Sequence, residues 1–171
     1  MLDPDSLLAL LARHHIAAET YDHPPLRTVA ESKALRGTLP GVQTKNLFLR
    51  DGKKRYFLLT VAEDAPVNLK ALREPLGARG SLSFAAPEAL YELLGVLPGS
   101  VSLLALANDE ARLVNFAIDR TLLRAEAIGC HPLTNTRTTV LAPEALKAFL
   151  KLTGHLAQEI DVPPPPAAAQ S

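Results

Sequence analysis

The chain has 171 residues, 47% hydrophobic and 21% charged, which suits one soluble globular domain burying roughly 70% of its unfolded surface. Eighteen basic residues balance eighteen acidic ones, so the broad basic surface of a DNA-coating protein is excluded. No apolar run approaches the ~20 residues of a membrane helix, the N-terminus lacks a signal peptide's basic start, and the single Cys130 excludes an internal disulfide and fits a reducing cytoplasm.

Asp3 and Pro4 open a predicted helix that runs to His15, with Leu7, Leu8 and Leu11 on one face. A short strand, Ala17–Asp22, is stopped by His23-Pro24-Pro25. Thr28-Val-Ala-Glu31 is a capping box and predicts a brief helix to Leu35, followed by a loop containing Gly37, Pro40 and Gly41; this helix is the candidate for a mobile flap. Gln43-Thr44-Lys45-Asn46 then reads as a loop running into the strand Leu47–Leu49. Asp51-Gly52 predicts a tight hairpin turn, with glycine supplying a positive φ, and Tyr56–Val61 is the return strand.

Farther on, the pattern predicts a helix over Asn68–Glu74 that ends before Pro75, a brief strand over Ser81–Phe84, and a helix over Pro87–Leu94 closed by Gly95. Ser100–Ala107 is an apolar run, Leu113–Ile118 a strand, and Asp119 a cap for a short helix from Arg120 to Ala127. Gly129–Thr136 is a second polar loop, Arg137–Leu141 a β-branched strand, and Pro143–Leu152 a closing helix ended by Gly154. Short strands and helices mix without regular βαβ alternation, so the expected class is α+β. The expected domain covers 1–162, and the Pro/Ala-rich stretch 163–171 is expected to be an extended or disordered tail.

Charge is uneven along the chain. Between Arg27 and Arg55 there are eight basic residues against Glu31 and Asp51, so this segment is net +6 and the remainder −6. Lys53, Lys54 and Arg55 at the hairpin tip read either as solubilising charges or as a contact for RNA. The familiar catalytic signatures are absent: no Walker A loop, no Gly-x-Gly-x-x-Gly, no Gly-x-Ser-x-Gly elbow, and no second ligand pair to make a metal site with the adjacent Cys130 and His131. Two polar segments remain, Thr44-Lys45-Asn46 and Gly129-x-His131-Pro132-x-x-Asn135. Taken alone, Lys45 reads better as a solvated lysine at a strand end than as a site residue.

Tyr21-Asp22-His23-Pro24, Gln43 to Leu49, Asn108-Asp109, Gly129-Cys-His-Pro132, Asn135-Thr136, Phe149-Leu150 and Gly154-His155 together make the chain resemble the YbaK/prolyl-tRNA synthetase-associated editing domains. Among these it looks most like the free-standing domains that hydrolyse alanyl-tRNA(Pro). The resemblance implies a mixed, largely antiparallel, barrel-like sheet surrounded by short helices. It further implies a cytoplasmic hydrolase that needs no metal or other cofactor. Its implied partners are the acceptor end of tRNA(Pro) carrying alanine and prolyl-tRNA synthetase, with no membrane and no DNA. The alternatives are a deacylase for cysteinyl- or another small aminoacyl-tRNA, and a non-catalytic tRNA- or synthetase-binding module.

On this resemblance the catalytic candidates are Lys45, Gly129 and His131. A lysine with an ordinary pKa near ~10.4 is a poor general base at neutral pH, so Lys45 is expected to hold negative charge, on a phosphate or a developing oxyanion. Gly129 would let backbone approach the ester or water. His131 reads as a proton shuttle or as packing against Pro132, and the ribose 2′-hydroxyl would help activate the water. Candidate substrate contacts are Leu26, Thr44, Asn46, Leu47, Phe48 and Asn135, with the helix after Thr28 as lid.

Overall fold

The computed structural model describes residues 1–25 and 28–163. Helix α1 (Pro4–Arg13) starts where Asp3 accepts the Ser6 amide at 2.7 Å, and Leu7 and Leu11, one turn apart, are its buried anchors. Strand β1 (Glu19–Asp22) follows, then helix α2 (Val29–Arg36), whose capping box is reciprocal: Thr28 and Glu31 each bond the other's amide. Gly41 has φ +80°, and a Cβ there would stand 2.7 Å from the Ala127 carbonyl oxygen, so the loop after α2 needs glycine on both counts.

Strands β2 (Val42–Arg50) and β3 (Tyr56–Ala62) form the central hairpin. Strand β2 begins at Val42, so Gln43–Asn46 are strand rather than loop. The hairpin turn is also wider than Asp51-Gly52 predicts. It spans Asp51 to Arg55, the positive φ of 62° falls on Lys54, and Gly52 is needed because a Cβ would come 2.9 Å from Arg79 O. Asp51 organises the turn. Burial works against its charge, but the amides of Arg79, Arg55 and Lys53 and the Arg55 side chain outweigh it and hold the acid at about 2.

Helix α3 (Leu69–Leu76) runs through Pro75 to a left-handed Gly77 rather than stopping before the proline. Leu76 is buried, and the Pro75 carbonyl accepts Gln158 Nε2 at 2.7 Å, so packing of the last turn overrides the local signal. Strand β4 (Ser83–Phe84) and helix α4 (Pro87–Leu94) come next. The apolar run then closes into a 3-10 segment, Leu103–Asn108, capped by Ser102. Strand β5 (Val114–Asp119), a 3-10 turn Arg120–Arg124, and strands β6 (Ile128–Cys130) and β7 (Arg137–Leu141) lead to helix α5 (Pro143–Thr153) and a last strand, β8 (Ala157–Ile160). The turn replaces the expected helix to Ala127, and β6 and β8 lie where the sequence pattern shows no strand.

The eight strands form one mixed sheet in the order β1-β7-β6-β2-β3-β5-β8, with β4 on the side of β2. Pairings β1/β7, β6/β7, β2/β3 and β2/β4 are antiparallel, whereas β2/β6, β3/β5 and β5/β8 are parallel. The order runs from β1 to β8 without closing on itself, among the described residues.

Two cores flank the central strands. Phe48, Leu58, Phe116 and Ile118 face α1, α4 and α5, while Leu49, Phe57, Leu59 and Val61 face α3. Strand β3 is therefore buried on both faces, which explains a nearly continuous apolar run interrupted by the buried Thr60. Along β2 the alternation sends Phe48 inward, stacked on Tyr56 at 5.4 Å, and the odd-numbered residues to the opposite face.

Candidate functional site

The β2 and β6 strands meet in a short parallel seam that pairs Val42 with Ile128 and Gln43 with Gly129. Ile128 and Cys130 point into the main core, so Gly129 lies on the other face, the one Gln43 and Lys45 occupy. Two residues farther along β2 the alternation returns Lys45 to that face, and His131 follows just past the end of β6, within reach of the Glu63 charge. Glu63, just past the end of β3, joins them: its amide donates to Gln43 O at 2.9 Å, and its carboxylate acts on the His131 ring.

Lys45 is half-buried and its Nζ donates to Ala65 O at 2.6 Å. An ammonium carries three donors, and this is its one hydrogen bond among the described residues. His131 hangs from β7, its Nδ1 at 3.0 Å from Arg137 O. A carbonyl oxygen only accepts, which places the proton on Nδ1 and leaves the Nε2 lone pair as an acceptor. No hydrogen bond occupies that Nε2 among the described residues. Burial pushes the His131 pKa below the ordinary histidine range. The Arg137 carbonyl opposes this, the neighbouring His23 ring reinforces it, and Glu63 offsets part.

His23 is 6.3 Å from His131, ring centroid to ring centroid. Its Nδ1 donates to Pro24 O at 2.9 Å, so its Nε2 accepts the buried Thr138 hydroxyl at 2.8 Å. The two imidazoles thus lie near each other, tilted by 52°, in the same tautomer, His23 with its Nε2 lone pair bonded and His131 with no bond to Nε2 among the described residues. Cys130 lies on the core side, and burial raises its thiol to about 12, which makes it a poor nucleophile. No group of three potential metal-ligating residues occurs among the described residues.

The remaining sequence candidates are dispersed. Thr44 and Asn46 alternate to the inner face, where the Thr44 hydroxyl donates to Gly129 O at 2.7 Å and Asn46 accepts the Thr60 hydroxyl. Gly129 is buried, and the space over its α-carbon is filled by the Gln43 carboxamide rather than left open to a ligand. Leu47 packs on the core beneath α3, and Phe48 is inside the main core. Asn135, in the loop before β7, has its amide nitrogen beside Gly99. Leu26 lies outside the described residues.

Lys53 and Lys54 are exposed at the far end of β2, ~20 Å from the seam by strand rise. Arg55 is held by Asp51 and by Gly77 O at 2.7 Å. Gln43, His23, Glu63 and Thr138 are residues that sequence reasoning did not select. Continuing the β2 alternation two residues back from Lys45 is the signal that would have found Gln43.

The asparagine-aspartate and glycine-histidine motifs lie elsewhere. Asp109 accepts the amides of Leu113 and Val114 at 3.0 and 2.9 Å, and His155 Nε2 donates to it at 2.9 Å. They are a buried clamp joining the 3-10 segment, β5 and the end of α5.

The family model of the aminoacyl-tRNA editing domain matches residues 23–149. A Bos taurus protein named prolyl-tRNA synthetase associated domain-containing protein 1 is 40% identical over 149 residues, covering 85% of this chain and 86% of the relative. The prolyl-tRNA editing protein ProX of Acetoanaerobium sticklandii is 32% identical over 165 residues, covering 94% of this chain and all of the relative. Among solved structures, a candidate trans-editing enzyme for prolyl-tRNA synthetase shares the fold, with a TM-score of 0.67 at 20% identity over 95% of this chain and 99% of that one. No helix among the described residues is long and apolar enough to cross a membrane.

Proposed function

Because the chain belongs to the aminoacyl-tRNA editing domain family, we propose that it acts in trans to deacylate alanyl-tRNA(Pro) mischarged by prolyl-tRNA synthetase. The observation that carries this reading is the face at the β2–β6 seam, which holds the half-buried Lys45 cation and, just past the end of β6, an imidazole held in one tautomer. An aminoacyl ester is already activated. Its hydrolysis needs a base for the water, a positive group for the oxyanion and a fixed pose, and no covalent nucleophile.

In the proposed reaction, water attacks the ester carbonyl and gives its proton to His131 Nε2, directly or through the ribose 2′-hydroxyl. Lys45 donates to the oxygen that gains negative charge. As the tetrahedral intermediate collapses, the bond to the ribose 3′-oxygen breaks and His131 returns the proton to that oxygen. Alanine and uncharged tRNA leave. The Arg137 carbonyl keeps the Nδ1 proton in place throughout, so the ring presents the same nitrogen at each turnover.

The test is to offer labelled alanyl-, cysteinyl- and prolyl-tRNA(Pro) and follow ester loss against the uncatalysed rate. Fastest loss of the alanyl ester with the prolyl ester spared is expected. Lys45→Ala should lower the alanyl rate by about 100- to 1,000-fold, as loss of an oxyanion donor does elsewhere, with an unchanged circular dichroism spectrum. Wild-type turnover by that variant would remove Lys45 from the mechanism. Faster loss of the cysteinyl ester would reassign the substrate, and tight tRNA binding without turnover would replace catalysis with recognition.

A further inference from the structure

Gly129 lacks a positive φ, so its missing side chain answers to space rather than to backbone conformation. A Cβ at that position would lie 2.7 Å from Gln43 Cδ and Nε2, and closer still to Oε1, so the Gln43 carboxamide lies against the strand where any other residue would carry a side chain. Gln43 Nε2 donates to Pro40 O at 3.3 Å, which sets the amide orientation and leaves Oε1 over Gly129. Gln43 is half-buried, belongs to neither hydrophobic core, and shares its strand face with Lys45 at a spacing of two residues. A side chain there for packing alone would be apolar. Gln43 is instead polar, tied to the loop that follows α2 and on the strand face that carries Lys45.

We propose that Gln43 is the specificity-determining residue of this site: its carboxamide fills the recess over Gly129 and sets how large an aminoacyl side chain can enter beside Lys45. The recess is the volume between the β2 and β6 strands that glycine leaves above its α-carbon, and Gln43 fills it from the side. On this proposal an alanyl methyl is admitted in front of the carboxamide, and a longer side chain or a pyrrolidine ring meets it. Because the Gln43 amide is bonded to Pro40, its position follows that of the Gly37–Gly41 loop, which links the size of the recess to the setting of α2. Gly129 then serves selectivity through Gln43 rather than by touching the ester itself.

The proposal rests on the reading of this face as an aminoacyl-ester site, and the experiment separates the two. Alanyl, cysteinyl and prolyl esters of one tRNA are offered to wild type, Gln43→Ala, the one-methylene-shorter Gln43→Asn and the isosteric Gln43→Glu. Gln43→Ala is expected to raise the rate for the larger esters relative to alanine by about tenfold or more, the discrimination that one methylene carries in a closed pocket. Gln43→Asn should fall between Gln43→Ala and wild type, and Gln43→Glu, which cannot donate to the Pro40 carbonyl, should also lose discrimination. Gly129→Ala should reduce alanyl turnover by displacing the carboxamide, and adding Gln43→Ala to it should restore turnover. A wild type that discriminates while Gln43→Ala and Gln43→Asn discriminate identically to it overturns the assignment of Gln43 alone. A wild type that hydrolyses none of the esters overturns both readings.

Discussion

Replacing Asp109 with alanine tests whether the two dipeptide motifs outside the seam are structural. The Asp109 and His155 side chains are 2% and 3% exposed, so neither has water to fall back on. Alanine would strand two buried donors, the Val114 amide and the His155 Nε2–H, and remove a third bond to the amide of the exposed Leu113. The two buried orphaned donors cost about 1–3 kcal/mol each and the solvated one less, which puts the sum at about 3–5 kcal/mol. A domain of this size changes its Tm by about 2–4 °C per kcal/mol, so the melt should fall by roughly 10–15 °C. Asp109→Asn keeps one acceptor but turns an NH2 group toward a donor, and should lose at least half as much. Because Val114 pairs with Tyr56, at the opposite end of β3 from Ala62, the clamp lies ~20 Å from the seam, and turnover per folded molecule should be unchanged. Urea titration with a deacylation assay on the same samples measures both. A loss below about 1 kcal/mol, or turnover that falls faster than the folded fraction, would refute the structural reading.

The His131 imidazole is held below its ordinary range, so the neutral base predominates at pH 7 and the acid limb of kcat/KM should fall below about pH 6.5. Glu63→Gln removes a carboxylate that favours the imidazolium and should shift that limb to lower pH; a shift upward would contradict the assignment. Gly52→Ala should cost about 1–3 kcal/mol in a thermal melt, because its Cβ would press on the Arg79 carbonyl 2.9 Å away, and should leave deacylation unaltered.

Helix ends were the most legible part of the fold because their signals are local. Asp3, the Thr28–Glu31 box, Pro87 with Gly95, and Pro143 with Gly154 mark boundaries within one or two residues of those observed. Strand starts were not legible where a partner far along the chain makes the strand. Gln43–Asn46 looks like polar loop because its pairing residues are Gly129 on one side and the end of β3 on the other. The three residues of β6 have no periodicity to read, and β8 is short and mostly polar outward.

The same cause limited the site. Residue type and family resemblance single out Lys45 and His131, but which neighbours share their face is a matter of register. Thr44 and Asn46, adjacent to Lys45 in sequence, turn to the inner side, while Gln43 and His23 join it by alternation and tertiary packing.

The seam between β2 and β6 joins segments about 85 residues apart, as the Thr44–Gly129 bond records. Closing a loop of that length costs on the order of 4 kcal/mol in chain entropy, more than two short rungs of ladder return. The rungs therefore hold only once β3, β7 and the cores on either face are in place. During synthesis the Lys45 half of the site would emerge well before the His131 half and wait for it, so a nascent or truncated chain ending before β7 would have no working centre. Folding and the appearance of activity should then share one rate, measurable by following turnover during refolding from urea.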